Sequence, residues 1–113
     1  MKDFLLIFRS EYNETPMGTP EQMEANMQQW MAWLQNIAEQ GKLTERGSPL
    51  ARGGRVLRPG DVVTNGPYIE IKEAIGGYTI IKAESYDDAI GMLKGCPILK
   101  VGGNVEVREL DGM

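Results

Sequence analysis

The sequence predicts one α+β domain in which two helices pack on one face of an antiparallel sheet. Three observations carry this: a short apolar segment near the start, a helix with an explicit start signal, and a second strand–helix–strand run of the same order further on. With 113 residues and 42% hydrophobic content, the chain suits a single domain spanning 1–113, which buries roughly two-thirds of the surface its unfolded form exposes.

Phe4-Leu5-Leu6-Ile7-Phe8 is apolar at both alternating sets of positions, which predicts a central strand covered on both sides or buried in an interface. Ser10 to Gly18, with Asn13 and Pro16, reads as a loop. Thr19-Pro20-Glu21-Gln22 then combines a hydroxyl N-cap, proline at the first helical position, an acid in the first turn and a capping-box glutamine. Behind it Met23, Met27, Trp30, Leu34 and Ile37 recur at spacings of four and three and predict the inward face, with Gly41 as the stop. Trp33 lies off that stripe and is expected to face a partner or a pocket mouth.

From Leu43 to Arg58 the helical period is lost, and a hairpin or two edge strands are expected with Gly53-Gly54 at a turn. Pro59-Gly60 marks another turn. Asn65-Gly66 suits a turn that needs positive φ, and Pro67 follows it. In an extended chain Tyr68, Glu70 and Lys72 would then share one face. After Gly76-Gly77, Tyr78 to Ala83 is a β-branched strand. Ser85-Tyr86-Asp87-Asp88 is a second capping box, opening a short helix through Ala89, Ile90 and Leu93 that Gly95 and Pro97 end. Val105 to Leu110 alternates as a last strand. The order is βαββαβ, that of a ferredoxin-like sandwich.

Composition excludes several functions. Sixteen acids against twelve bases leave a net charge of -4, so neither direct nucleic-acid binding nor attachment to an anionic membrane is expected. No apolar run is long enough to span a bilayer and no secretory signal is visible, so a cytoplasmic location is expected. The chain has no histidine and one cysteine, Cys96, which leaves no metal cluster of ordinary ligand spacing; no metal and no cofactor are expected. Cys96 stands at a helix C-terminal end, where nothing activates a thiol, and is expected to pack. Charge is also segregated: Ser10 to Gly41 carries Glu11, Glu14, Glu21, Glu24 and Glu39 and no base, whereas Lys42 to Arg58 carries five bases against Glu45 alone. Solvated faces and a dedicated anion site are both compatible with that pattern.

Taken together, Asn65-Gly66-Pro67-Tyr68, Glu70-Ile71-Lys72-Glu73, Gly76-Gly77-Tyr78, Cys96-Pro97 and Val105-Glu106-Val107-Arg108 resemble the YCII-related superfamily, in particular its DGPF branch, whose signature is an Asp-Gly-Pro-Phe turn followed by a Glu-x-Lys-Glu strand. The resemblance covers nearly the whole chain. It implies a ferredoxin-like fold that pairs through its sheet into a dimeric α+β barrel, hence a homodimer, with a cleft between sheet and helices. Related enzymes, among them a dehydrochlorinase, act on small ring compounds and are linked to a histidine and aspartate pair. This chain has no histidine, and Asn65 stands where the signature has aspartate.

Without histidine, proton transfer falls to a carboxylate or lysine shifted by burial, which singles out Glu70, Glu73 and Lys72 as candidate catalytic residues. A cross-strand salt bridge on a solvated face is the competing account of the same three. Candidate ligand-binding residues are Asn65, Tyr68, Tyr78, Arg9 and Arg108. Asn65 can donate and accept, or can serve only its turn. The tyrosines offer hydroxyls, or are core residues with a polar tip. Arg9 and Arg108 lie on terminal strands that the fold makes neighbours; paired guanidinium groups suit a carboxylate, and salt bridges to Glu106 or Glu109 are the simpler alternative. The leading expectation is a dimeric, cofactor-free binding or accessory module whose cleft near Asn65, Tyr68, Glu70 and Lys72 accepts a small organic ligand. The alternatives are a cofactor-free isomerase or lyase using Glu70 or Glu73 on a ring-containing acid, and an interaction partner of a sigma-factor system.

Overall fold

In the computed structural model the described residues are 1–11, 19–66 and 73–112. The elements run β1 (Lys2–Glu11), α1 (Pro20–Glu39), β2 (Leu43–Pro49), β3 (Arg55–Arg58), β4 (Val62–Asn65), β5 (Glu73–Ala83), α2 (Tyr86–Leu93), a 3-10 turn over Pro97–Val101, and β6 (Asn104–Glu109). Four strands make an antiparallel sheet in the order β2-β5-β1-β6, so the apolar first strand is interior to the sheet as its pattern predicts. This is the ferredoxin-like α+β arrangement expected from the sequence, with β3 and β4 added as a separate two-stranded hairpin.

Strand periodicity of two divides the sheet into two faces. On the helix side Phe4, Leu6, Ile81 and Ala83 are fully buried and Phe8 nearly so, and the large apolar side chains among them are each worth about 1.5–3 kcal/mol relative to exposure. Phe8 meets Trp30 and Trp33 edge-on at centroid distances of 4.9 and 6.2 Å. Phe4 meets Tyr86 of α2 in the same way at 5.0 Å. Thr79 is the one buried polar residue among those described, and its hydroxyl donates to the Arg46 carbonyl at 3.0 Å.

The start of α1 is the box the sequence predicts: the Gln22 N–H donates to Thr19 Oγ1 and the Thr19 N–H to Gln22 Oε1. The inward stripe differs from expectation at its N-terminal end. Met23 and Met27 are exposed, whereas Trp33 is buried and its indole N–H donates to the Met92 carbonyl at 3.1 Å. The described core lies under the helix's second half, through Trp30, Trp33, Leu34 and Ile37. At α2 the Ser85 hydroxyl accepts from the Asp88 N–H, but the Asp88 carboxylate accepts from the Glu84 N–H, one residue before the cap.

The middle of the chain is also corrected. The hairpin turns at Pro59-Gly60-Asp61, with Gly60 and Asp61 at φ 83 and 60, and Gly53-Gly54 instead lies on the connection from β2. Gly66 takes the positive φ expected of it, 87, and its N–H closes the hairpin base on the Gly54 carbonyl. On the main sheet β1 and β5 shift register between Phe8 and Arg9, Phe8 facing Gly77 and Arg9 facing Ile75, so Gly76 is the extra residue of a bulge.

Candidate functional site

The face of the sheet away from the helices carries the grouped polar chemistry. Cα partners across an antiparallel ladder share a face. Ile7 faces Tyr78 on one side and Glu106 on the other, and Leu5 faces Ile80 and Arg108. These two rows cross three strands at about 4.8 Å per strand. Leu5, Ile7, Tyr78 and Ile80 are half-buried and form an apolar floor between two polar clusters.

One cluster is built on β1 and β6. Arg9 Nη1 donates to Glu106 Oε1, and Arg108 Nη1 donates to Glu106 Oε2 at 3.2 Å. The Arg9 guanidinium, then that of Arg108, holds the Glu106 carboxyl below the usual glutamate range. Two cations on one anion leave an excess positive charge beside the floor. The other cluster joins three strands: the Thr44 hydroxyl and the Lys82 ammonium both donate to Asp3 Oδ1, at 2.7 and 3.2 Å. Those bonds, Thr44 first, lower the Asp3 carboxyl. Nearby, the Tyr78 hydroxyl donates to Glu45 Oε1 at 3.3 Å.

The sequence-predicted residues therefore divide. Arg9, Arg108 and Tyr78 share the open face, with Glu106 as the arginines' acceptor. Asn65 ends β4, exposed and paired with Arg55 in the separate hairpin. The backbone of Glu73 begins β5 opposite Glu11. Tyr68, Glu70 and Lys72 lie outside the described residues. The Asp3–Thr44–Lys82 cluster was not among the sequence candidates: the alternations Asp3-Leu5-Ile7-Arg9 and Tyr78-Ile80-Lys82 put Asp3 and Lys82 each on one face of its strand but do not pair them. On the opposite side of the molecule, Ile90, Leu93, Lys94, Leu99 and Val105 line an apolar depression of about 200 Å³. Cys96 is buried, and that burial pushes its thiol up to about 11. Among the described residues no group of three His, Cys, Asp or Glu side chains is placed to hold a metal ion, and no helix is long and apolar enough to cross a membrane.

Comparison with known proteins gives a family and a structural likeness. The profile of the YCII-related domain matches residues 3–111. A search of curated proteins finds no match. Among solved structures the chain is similar to 5-chloro-2-hydroxyhydroquinone dehydrochlorinase from Burkholderia phenoliruptrix in complex with 2,5-dihydroxybenzoquinone, with 20% identity, a TM-score of 0.49, and coverage of 97% of this chain and 95% of that one.

Proposed function

This chain belongs to the YCII-related domain family, and from that premise we propose that it is a binding module for a small apolar carboxylate, held on the open face of the sheet. The observation that carries the reading is the convergence of Arg9 and Arg108 on Glu106 at the border of the Leu5, Ile7 and Ile80 floor. A ring or short chain lies on the floor while its carboxylate takes the guanidinium donors that Glu106 leaves over. At this face binding is favoured over acid–base catalysis by Asp3 or Glu106, whose carboxyls are both held below the usual range. A general base working near neutrality needs the opposite shift.

A second copy closes over this face, as the family resemblance implies, and the half-buried Leu5 and Ile7 are suited to that contact. The ligand then lies between two sheets, where lower polarity strengthens the arginine contacts. Calorimetric titration with benzoate tests the reading, with Arg9→Ala and Arg108→Ala as comparisons. Saturable binding by the wild type that each variant weakens is the expected result; equal heats from all three proteins would remove the site. Light scattering at micromolar concentration tests the second copy, and a monomer mass would exclude it.

A further inference from the structure

The β3–β4 hairpin and helix α1 each present an apolar surface that the described chain leaves largely uncovered, and the two segments are of opposite charge. In the hairpin, Leu57 faces Val63 and Arg55 faces Asn65 across the ladder, so these four share one side. Leu57 and Val63 are 68% and 58% exposed. The other side carries half-buried Val56 and Thr64 together with exposed Arg58 and Val62. Neither strand makes an extensive contact with any element but its partner. A lone two-stranded hairpin is marginal in water and gains from a surface to pack on. The radius of gyration is 15.5 Å, against about 13 Å for a compact chain near this length.

On α1, Met23, Met27 and Met31 recur every four residues and are 47%, 58% and 46% exposed, with Arg46 of β2 touching Met31. Methionine faces of this kind adapt to irregular apolar partners. Residues 20–39 hold Glu21, Glu24 and Glu39 and no base, whereas residues 52–66 hold Arg52, Arg55 and Arg58 against Asp61 alone. Within one chain α1 has no extensive contact with β3 or β4.

We propose that the Leu57–Val63 side of the hairpin seats on the Met23–Met27–Met31 face of α1 in a second copy of this chain, and reciprocally, with Arg55 against the glutamates of the helix N-terminal half. Reciprocity closes the pair and leaves neither apolar surface over. The inference shares with the proposed function only that this chain self-associates, and it uses a surface other than the open sheet face.

Charge exchange tests it by sedimentation equilibrium. The hairpin variant Leu57→Glu/Arg55→Glu and the helix variant Met27→Lys/Glu24→Lys are each expected to self-associate at least roughly tenfold more weakly than wild type, since each replaces an apolar contact and an attraction by repulsion. An equimolar mixture of the two variants makes both contacts complementary again and is expected to recover wild-type association. Three results would overturn the proposal: variants that associate like wild type, a mixture that fails to recover, or a wild type that stays monomeric. The first of these, combined with monomers from Ile7→Arg, would leave the open-face contact standing and remove the hairpin contact alone.

Discussion

Arg9 and Arg108 reach the same carboxylate from neighbouring strands, one taking each oxygen of Glu106. Because both bonds favour the ionised form, the folded-state pKa of Glu106 lies below its unfolded value. The stabilisation is therefore complete above the unfolded value and is lost as pH falls through the folded one. Urea unfolding of wild type and Glu106→Gln at pH 7 is expected to differ in favour of wild type, with the difference vanishing once the pH is well below about 4. A difference that persists in acid would mean that Glu106 acts through packing.

The same triad makes a prediction of opposite sign for binding. Glu106 competes with any bound carboxylate for the guanidinium donors, so Glu106→Gln should tighten benzoate binding although it destabilises the fold. Arg9→Ala removes a charge-assisted bond and should weaken binding by roughly tenfold. Calorimetry on both variants checks the pair of signs. If Glu106→Gln loosens binding as Arg9→Ala does, the carboxylate is part of the ligand site rather than its competitor.

Trp33 is where local periodicity and tertiary packing part company. The spacing of Met23, Met27, Trp30, Leu34 and Ile37 defines a face of the helix but not how far the sheet extends beneath it, and the core ends near Trp30. Trp33→Ala is expected to cost about 3–5 kcal/mol, and Trp33→Phe about 1–3 kcal/mol through the bond lost at the Met92 carbonyl. Met27→Ala, at concentrations where the chain is monomeric, should change stability by no more than about 0.5 kcal/mol. Chemical denaturation ranks all three, and a Met27 cost equal to that of Trp33 would contradict the exposure of Met27.

What could be read from the sequence was mostly local. The Thr19–Gln22 box, the central strand at Phe4 to Phe8 and the positive φ at Gly66 each depend on a few adjacent residues, and each is found where the sequence puts it. The hairpin was harder, because Gly53-Gly54 and Pro59-Gly60 are equally good turn formers. Only the pairing of Val56 with Thr64 and Leu57 with Val63 chooses between them. The candidate site was legible to the extent that topology made it so: once β1 and β6 are neighbours, the contacts of Arg9 and Arg108 with Glu106 follow. The Asp3–Lys82 pair, separated by 79 positions, required the β1–β5 register, which no local pattern supplies.

Cys96 gives a separate pH signature. Burial raises its thiol to about 11, so the folded chain resists forming the thiolate. Its reaction with a water-soluble disulfide reagent at pH 8 should be slow in buffer and fast in urea. Stability should also fall as pH rises above the unfolded thiol value, about 8.5, toward 11, because the unfolded chain releases that proton first. Fast labelling of the native protein would show that the thiol is accessible.

Gly47 ties the edge strand to the open face. It occupies the register shift of β2 between Glu45 and Ser48 at φ 71, and a Cβ there would lie 1.8 Å from the Tyr78 carbonyl oxygen and 2.7 Å from its carbon. Those are backbone atoms of β5, so no side-chain rotation relieves the overlap, and β2 must move off its partner. The left-handed conformation adds its own cost for any residue with a Cβ. Gly47→Ala should therefore destabilise by about 2–4 kcal/mol. Gly53→Ala is the matched control: no positive φ and no neighbouring atom opposes a methyl group at Gly53, so the change should be neutral or stabilise by up to about 1 kcal/mol. Displacing β2 also separates Glu45 from the Tyr78 hydroxyl, while Arg9 and Arg108 stay on β1 and β6. Gly47→Ala, assayed well below its lowered melting temperature, should thus keep its affinity for benzoate; a parallel loss of binding would move the ligand site toward the β2 edge.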